Sequence, residues 1–222
     1  MFLGHFGVGF AAKRAAPNVS LGTLLFAAQF VDLLWPILVL VGVETVRIDP
    51  GNTVVTPLDF VAYPFTHSLA TGLGWGVLLG LVYLVIRRSA RGALLVGLAV
   101  VSHWVLDFVS HRADMPLYPG GPKVGLGLWN SLPATLAVEL GVFAVGVALY
   151  LTATRPLDRT GRWGLAALLA LLLAVYGAAL FGPPPPSDTA VAWVGLSAWL
   201  LPLAGVGIDR HRAPRHGPTF RR

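Results

Sequence analysis

Six apolar runs, each 19 to 25 residues long, occupy most of this 222-residue chain, at 21–43, 66–86, 92–110, 128–152, 163–181 and 190–208. A helix rises 1.5 Å per residue, so such runs match the ~30 Å hydrocarbon layer of a bilayer. Charged residues make up 12% of the chain, against about 25% in soluble domains. That is too little charge to cover a water-facing surface. With no cysteine in the chain, a disulfide framework and thiolate metal sites are also excluded. The predicted fold class is all-α, a polytopic membrane helix bundle of about six transmembrane helices.

The ends of the runs carry the remaining topology. Residues 1–12 are apolar but precede Lys13 and Arg14, the reverse of a signal peptide. Pro17 and Asn18 then break the chain before Ser20, so residues 2–14 read as a short N-terminal helix, re-entrant or interfacial. Pro36 and Pro202 are expected to kink their helices, and Pro183 to Pro186 to form a stiff turn. Glycines such as Gly72, Gly74, Gly76, Gly80, Gly141 and Gly146 are expected to allow close helix contact. Thirteen of the sixteen Lys and Arg residues fall on one side of the layer, with only Arg47, Arg112 and Lys123 opposite. The positive-inside rule then puts both termini in the cytoplasm. It also accounts for the net charge of +6 without a nucleic-acid partner. The chain divides into a metal-site helical core, 1–153, and a second part, 154–222, of two accessory transmembrane helices and a basic cytoplasmic tail. That tail is expected to be disordered near anionic headgroups and open to a protein partner.

Charge inside a span is expensive, about 2.5 to 3.5 kcal/mol at mid-membrane. Asp32 and Glu139 nevertheless each sit roughly 16 Å deep, with His103 and Asp107 in the third run, His67 opening the second, and His5 in the N-terminal segment. The last two spans hold nothing comparable, so one polar cavity among the first four spans is the economical reading. His103, Asp107 and His111 follow one another at i, i+4, i+8 and share a helix face. Imidazole and carboxylate at that spacing can grip one divalent ion, with Zn first and Mn or Fe as alternatives. The bland readings are a metal-free His–Asp hydrogen bond, haem ligation by His67 and His103, or isolated packing groups. His211 and His216 read as solvated tail residues.

The order Gly4-His5-Phe6-Gly7, Asp32, Thr66-His67-Ser68 and His103-x-x-x-Asp107 resembles the YdjM-type family of inner-membrane metal-dependent hydrolases, also described as LexA-binding. More remotely it is similar to the helical zinc phospholipase C and P1-nuclease group. The resemblance covers roughly residues 1–150 and implies a prokaryotic inner-membrane protein. It implies Asp32, His67, His103 and Asp107 as ligands, with His5, His111 and Glu139 as further candidates. Two departures stand out: Asp32-Leu33-Leu34 replaces an Asp-x-Asp pair, and Tyr63-Pro64-Phe65 replaces an Arg before the Thr-His. The loop 114–130 is a candidate lid.

The expected function is therefore a membrane-embedded metal-dependent hydrolase of a phosphoester or lipid-linked substrate, with Asp32 and Asp107 as its catalytic carboxylates. The alternatives are a cation or proton transporter built on the same His and Asp residues, and a non-catalytic membrane scaffold. Neither a Gly-x-Ser-x-Gly elbow nor a Walker-type phosphate loop is present.

Overall fold

A computed structural model describes residues 1–215. Helix α1 (Leu3–Ala15) precedes α2 (Leu21–Leu40), α3 (Leu69–Arg87), α4 (Ala90–Ser110), α5 (Leu132–Ala153), α6 (Arg159–Phe181), α7 (Asp188–Ser197) and α8 (Leu200–Arg210). Among the described residues, six helical stretches are long and apolar enough to cross a membrane, the last being α7 and α8 taken together.

Each of these six stretches opens on a side-chain cap. Ser20, Ser68, Ser89, Ser131, Asp158 and Ser187 each accept a backbone N–H three residues on. Such a cap satisfies one of the orphan donors of a helix's first turn. The caps move two expected boundaries. Span two begins at Leu69 rather than 66, leaving Thr66 and His67 in the preceding turn. Span four begins at Leu132, behind Ser131 and a separate 3-10 turn, Leu128–Asn130.

The two helix prolines act differently. Pro36 lies inside a continuous α2, where it denies the Asp32 carbonyl its usual donor four residues on. At Pro202 the helix breaks outright: α7 ends at Ser197 and α8 starts at Leu200. A proline ring clashes with the carbonyl four residues back, here that of Ala198.

Helix α1 is packed within the bundle rather than on its surface, with Leu3, Phe6 and Phe10 buried. It docks on α5 at closest approach through Gly7 and Gly146, where a Cβ on Gly146 would lie 2.0 Å from the Gly7 carbonyl oxygen. Gly76 and Gly80 bring α3 onto α4 in the same way, whereas Gly74 and Gly141 face open space.

Short two-stranded sheets close the ends. β1 (Thr45–Ile48) pairs with β2 (Leu58–Ala62), and β3 (Met115–Pro116) with β4 (Lys123–Val124). At the opposite, basic end β5 (Thr154–Pro156) pairs with β6 (Arg212–Pro214). The tail expected to be disordered is thus ordered at least to Arg215. Arg212 is buried, donates to Thr154 Oγ1 and the Gly161 carbonyl, and lies over the Tyr150 ring. His211 is paired with Asp158. His216 and the rest of the tail lie outside the described residues.

Candidate metal centre

Ala28, Asp32 and Pro36 follow one another at four-residue steps along α2, and this face meets α4 at His103 and Asp107. The turn before α3 supplies His67, and α1 supplies His5. The side chains converge into two overlapping groups able to hold a metal ion: His5, His103 and Asp107, and Asp32, His67 and His103. His103 belongs to both.

The hydrogen bonds fix which imidazole nitrogen faces the centre. His103 Nδ1 lies 2.8 Å from the Ala28 carbonyl oxygen. A carbonyl only accepts, so Nδ1 carries a proton and Nε2 is the nitrogen that points inward, as a lone pair when the ring is neutral. That nitrogen sits 3.0 Å from Asp107 Oδ2 and 3.5 Å from Asp32 Oδ1.

His67 is set by a longer relay. Its Nδ1 lies 2.6 Å from Thr66 Oγ1, and Thr66 Oγ1 donates to Glu44 Oε2 at 2.7 Å. With its only proton committed to Glu44, the hydroxyl accepts from His67 Nδ1–H, and Nε2 again faces inward. It lies 3.3 Å from Asp32 Oδ1 and 3.7 Å from Asp107 Oδ2.

Two imidazole Nε2 atoms therefore face two carboxylates at 3.0 to 3.7 Å. Neutral imidazoles and carboxylates facing one another in a buried site repel unless a proton or a metal cation stands between them. Nitrogen and oxygen donors with outer hydrogen bonds on the imidazoles are the make-up of a divalent-metal site. His5 Nε2 lies 3.0 Å from Asp107 Oδ1, and its ring stacks on that of His103 with centroids 3.6 Å apart. The Met1 amino group also donates to Asp107 Oδ1.

Glu139 and His111, expected as ligands, belong to neither group. Glu139 Oε2 instead accepts the backbone N–H groups of Phe2 and Leu3 at 2.8 Å each, and that of Gly4 at 3.4 Å. It caps α1 from across the bundle, where α1 has no capping side chain of its own. His111 caps α4 and lines the cavity next to the centre, its Nδ1 3.0 Å from Asp114 Oδ1. Burial lowers the pKa of His111. Burial pushes Asp114 up, but its hydrogen bonds from His111, Tyr63 and Arg112 outweigh that and lower it. Arg112 in turn reaches Asp59 on β2.

Glu44 is the site residue that the sequence pattern did not single out. It follows α2 and is 2% exposed, and it accepts the backbone N–H groups of Phe65 and Thr66 as well as the Thr66 hydroxyl.

A cavity of about 270 Å³ opens above the centre. Asp32, His67 and Asp107 form its floor, while Val55 and Thr56 of the β1–β2 connection and Trp129 of the 114–130 loop also line it. Asp32 is the open member of the set, its side chain 37% exposed against 2% for Asp107. The region expected to be accessory contributes too: Tyr176, Ala179 and Leu180 of α6, Gly195 of α7, and Ala198 at the helix break. No family model, curated protein or solved structure matches this chain.

Proposed function

We propose that this protein is a membrane-embedded, metal-dependent hydrolase acting on a phosphoester or other lipid-linked bond. Its ion is most simply zinc, with Mn or Fe compatible with the same donors. In the proposed orientation both termini face the cytoplasm of a prokaryotic inner membrane, on the strength of the Lys and Arg asymmetry. The observation that carries the reading is the convergence of His67 Nε2 and His103 Nε2 on Asp32 and Asp107, with the outer nitrogen of each ring already hydrogen-bonded.

Bound there, a divalent ion would act as a Lewis acid and bring the pKa of a water toward about 7. The residues do the rest. Asp107, enclosed beside His5, His67 and His103, would share the ion with them, while Asp107 Oδ1 also accepts from the Met1 amino group. Asp32 faces the cavity and is placed to accept a proton from the attacking water. Hydrolysis consumes one water: its oxygen bonds to the electrophilic centre, the bond to the leaving oxygen breaks, and one proton ends on that oxygen.

The test is elemental analysis of detergent-purified protein together with a screen of phosphodiester substrates. Expected is bound divalent metal that is lost in His103→Ala and Asp107→Ala, with hydrolysis lost alongside it. Protein that stays metal-free after incubation with Zn, Mn or Fe would overturn the reading. Metal accumulation inside proteoliposomes without hydrolysis would assign the same residues to transport.

A further inference from the structure

Most buried polar atoms find a partner, because leaving one bare costs about 1–3 kcal/mol. Around the cavity, three do not. Gln29 Oε1, Trp35 Nε1 and Tyr176 Oη are buried with no hydrogen-bond partner among the described residues, and all three residues line this one space. Trp35 offers a donor, Gln29 an acceptor and Tyr176 either. None of them belongs to the metal groups.

The same cavity has an apolar side. Pro36 and Leu33 of α2 face Leu180 and Ala179 of α6, with Gly195 and Ala198 completing the rim. The broken last span shapes this rim. Helix α6 packs against α8, with no comparable packing against α7, so the wall parts beside the break. Ala179 is exposed on α6, a helix apolar enough to span a membrane, so the slot faces the region that hydrocarbon occupies. The Trp199 indole N–H braces the break by donating to the Leu33 carbonyl at 3.1 Å. The small residues on the rim (Ala179, Gly195, Ala198) leave the slot unfilled.

We infer that this cavity is a binding subsite for a membrane amphiphile: its hydrogen-bonding linker meets Gln29, Trp35 and Tyr176, and its hydrocarbon chain leaves between α6 and α7. The inference rests on the hydrolase reading only for what then happens to the bound molecule. A water-soluble ligand would need no apolar slot. A pure hydrocarbon would leave the three polar atoms bare.

The test uses full-length protein in vesicles of phosphatidylethanolamine and phosphatidylglycerol, with a trace of phosphatidylglycerol carrying a diazirine in its acyl chain. After illumination, adducts are mapped by peptide mass spectrometry. Expected are adducts on Leu33, which is 1% exposed and lines the cavity, and on Leu180. They should fall about tenfold in Ala179→Trp, which fills the rim from an exposed position and leaves the core intact. Adducts on Val85, exposed on α3, should not change. Tyr176→Phe keeps its ring and removes only the hydroxyl, and it should lower cavity adducts by about fivefold, as the loss of one hydrogen bond would. Absence of cavity adducts in the wild type, or their persistence in Ala179→Trp, would overturn the subsite. Cleavage of soluble bis(p-nitrophenyl) phosphate without cavity adducts would overturn the subsite alone. Cavity adducts with no hydrolysis of any ester would uphold the subsite and sink the hydrolase reading alone.

Discussion

Replacing Glu44 by Gln tests whether the centre depends on the direction of a single proton. In the wild type Glu44 only accepts, taking the Thr66 hydroxyl proton at 2.7 Å and the Phe65 and Thr66 amide protons at 2.8 and 2.9 Å. A glutamine keeps one accepting oxygen for the two amides but turns an NH₂ toward Thr66 Oγ1. The threonine hydroxyl must then rotate and donate to His67 Nδ1. That moves the imidazole proton to Nε2 and removes the lone pair facing Asp32. Outer-sphere losses of this kind weaken metal binding about 10- to 100-fold, or roughly 1.4 to 2.7 kcal/mol.

The assay is zinc competition against a chromophoric chelator in detergent, with thermal unfolding as a control for the fold. Thr66→Val cuts the same relay and should cost a similar amount. Because the two residues act in series, the double variant should lose little more than either single one. Affinity within about twofold of wild type in Glu44→Gln, or two losses that add in full, would refute the relay, since independent contacts are additive.

Two further outcomes follow from the same bonds. Glu139→Ala should lower the unfolding temperature, with a cost of about 3–6 kcal/mol for two strong charge-assisted bonds to α1. It should also weaken metal binding because α1 carries His5, whereas an unchanged metal affinity would detach α1 from the centre. At the basic end, the Gly161 N–H and then His211 lower the pKa of Asp158. A depressed carboxylate pKa stabilises the fold above its ordinary value near 3.8 and loses that contribution as pH falls through the lowered one. Unfolding midpoints of wild type and Asp158→Asn should therefore differ at neutral pH and converge as pH falls below about 4. A constant gap down to acid pH would contradict the pairing.

The spans were legible because bilayer thickness and backbone satisfaction leave little freedom, and the serine caps at their starts refine what hydropathy alone placed. Asp32, His67, His103 and Asp107 were legible for a related reason: ionisable groups in apolar runs need a common explanation. The same depth argument could not separate a ligand from a cap. Glu139 lies in α5 at the height of the others, yet its partners are the free N–H groups of α1, which exist only after α1 has docked. Glu44 failed to register for the opposite reason. It lies outside the apolar runs, where an acid costs nothing in the unfolded reading, and its role depends on a turn that closes over Thr66. The helix break at Ala198 needed three dimensions as well. Pro202 foretold a disturbance, but not that the disturbance would border the cavity.

These differences share a pattern that bears on how the chain is built. The candidate donors lie on α1, α2, α4 and the turn before α3, but what surrounds them comes from elsewhere: Glu139 from α5, Tyr176 from α6, Gly195 and Ala198 from α7 and the break. A centre assembled only from residues 1–153 would therefore keep its donors and lose one wall of its cavity. The cavity is thus lined from both parts of the chain. If the proposed subsite binds a ligand, the small rim residues of the last two spans and the gap between α6 and α7 would set what can reach Asp32. Variation there should change which molecules bind, while variation at His67, His103 or Asp107 should change whether a metal is held at all.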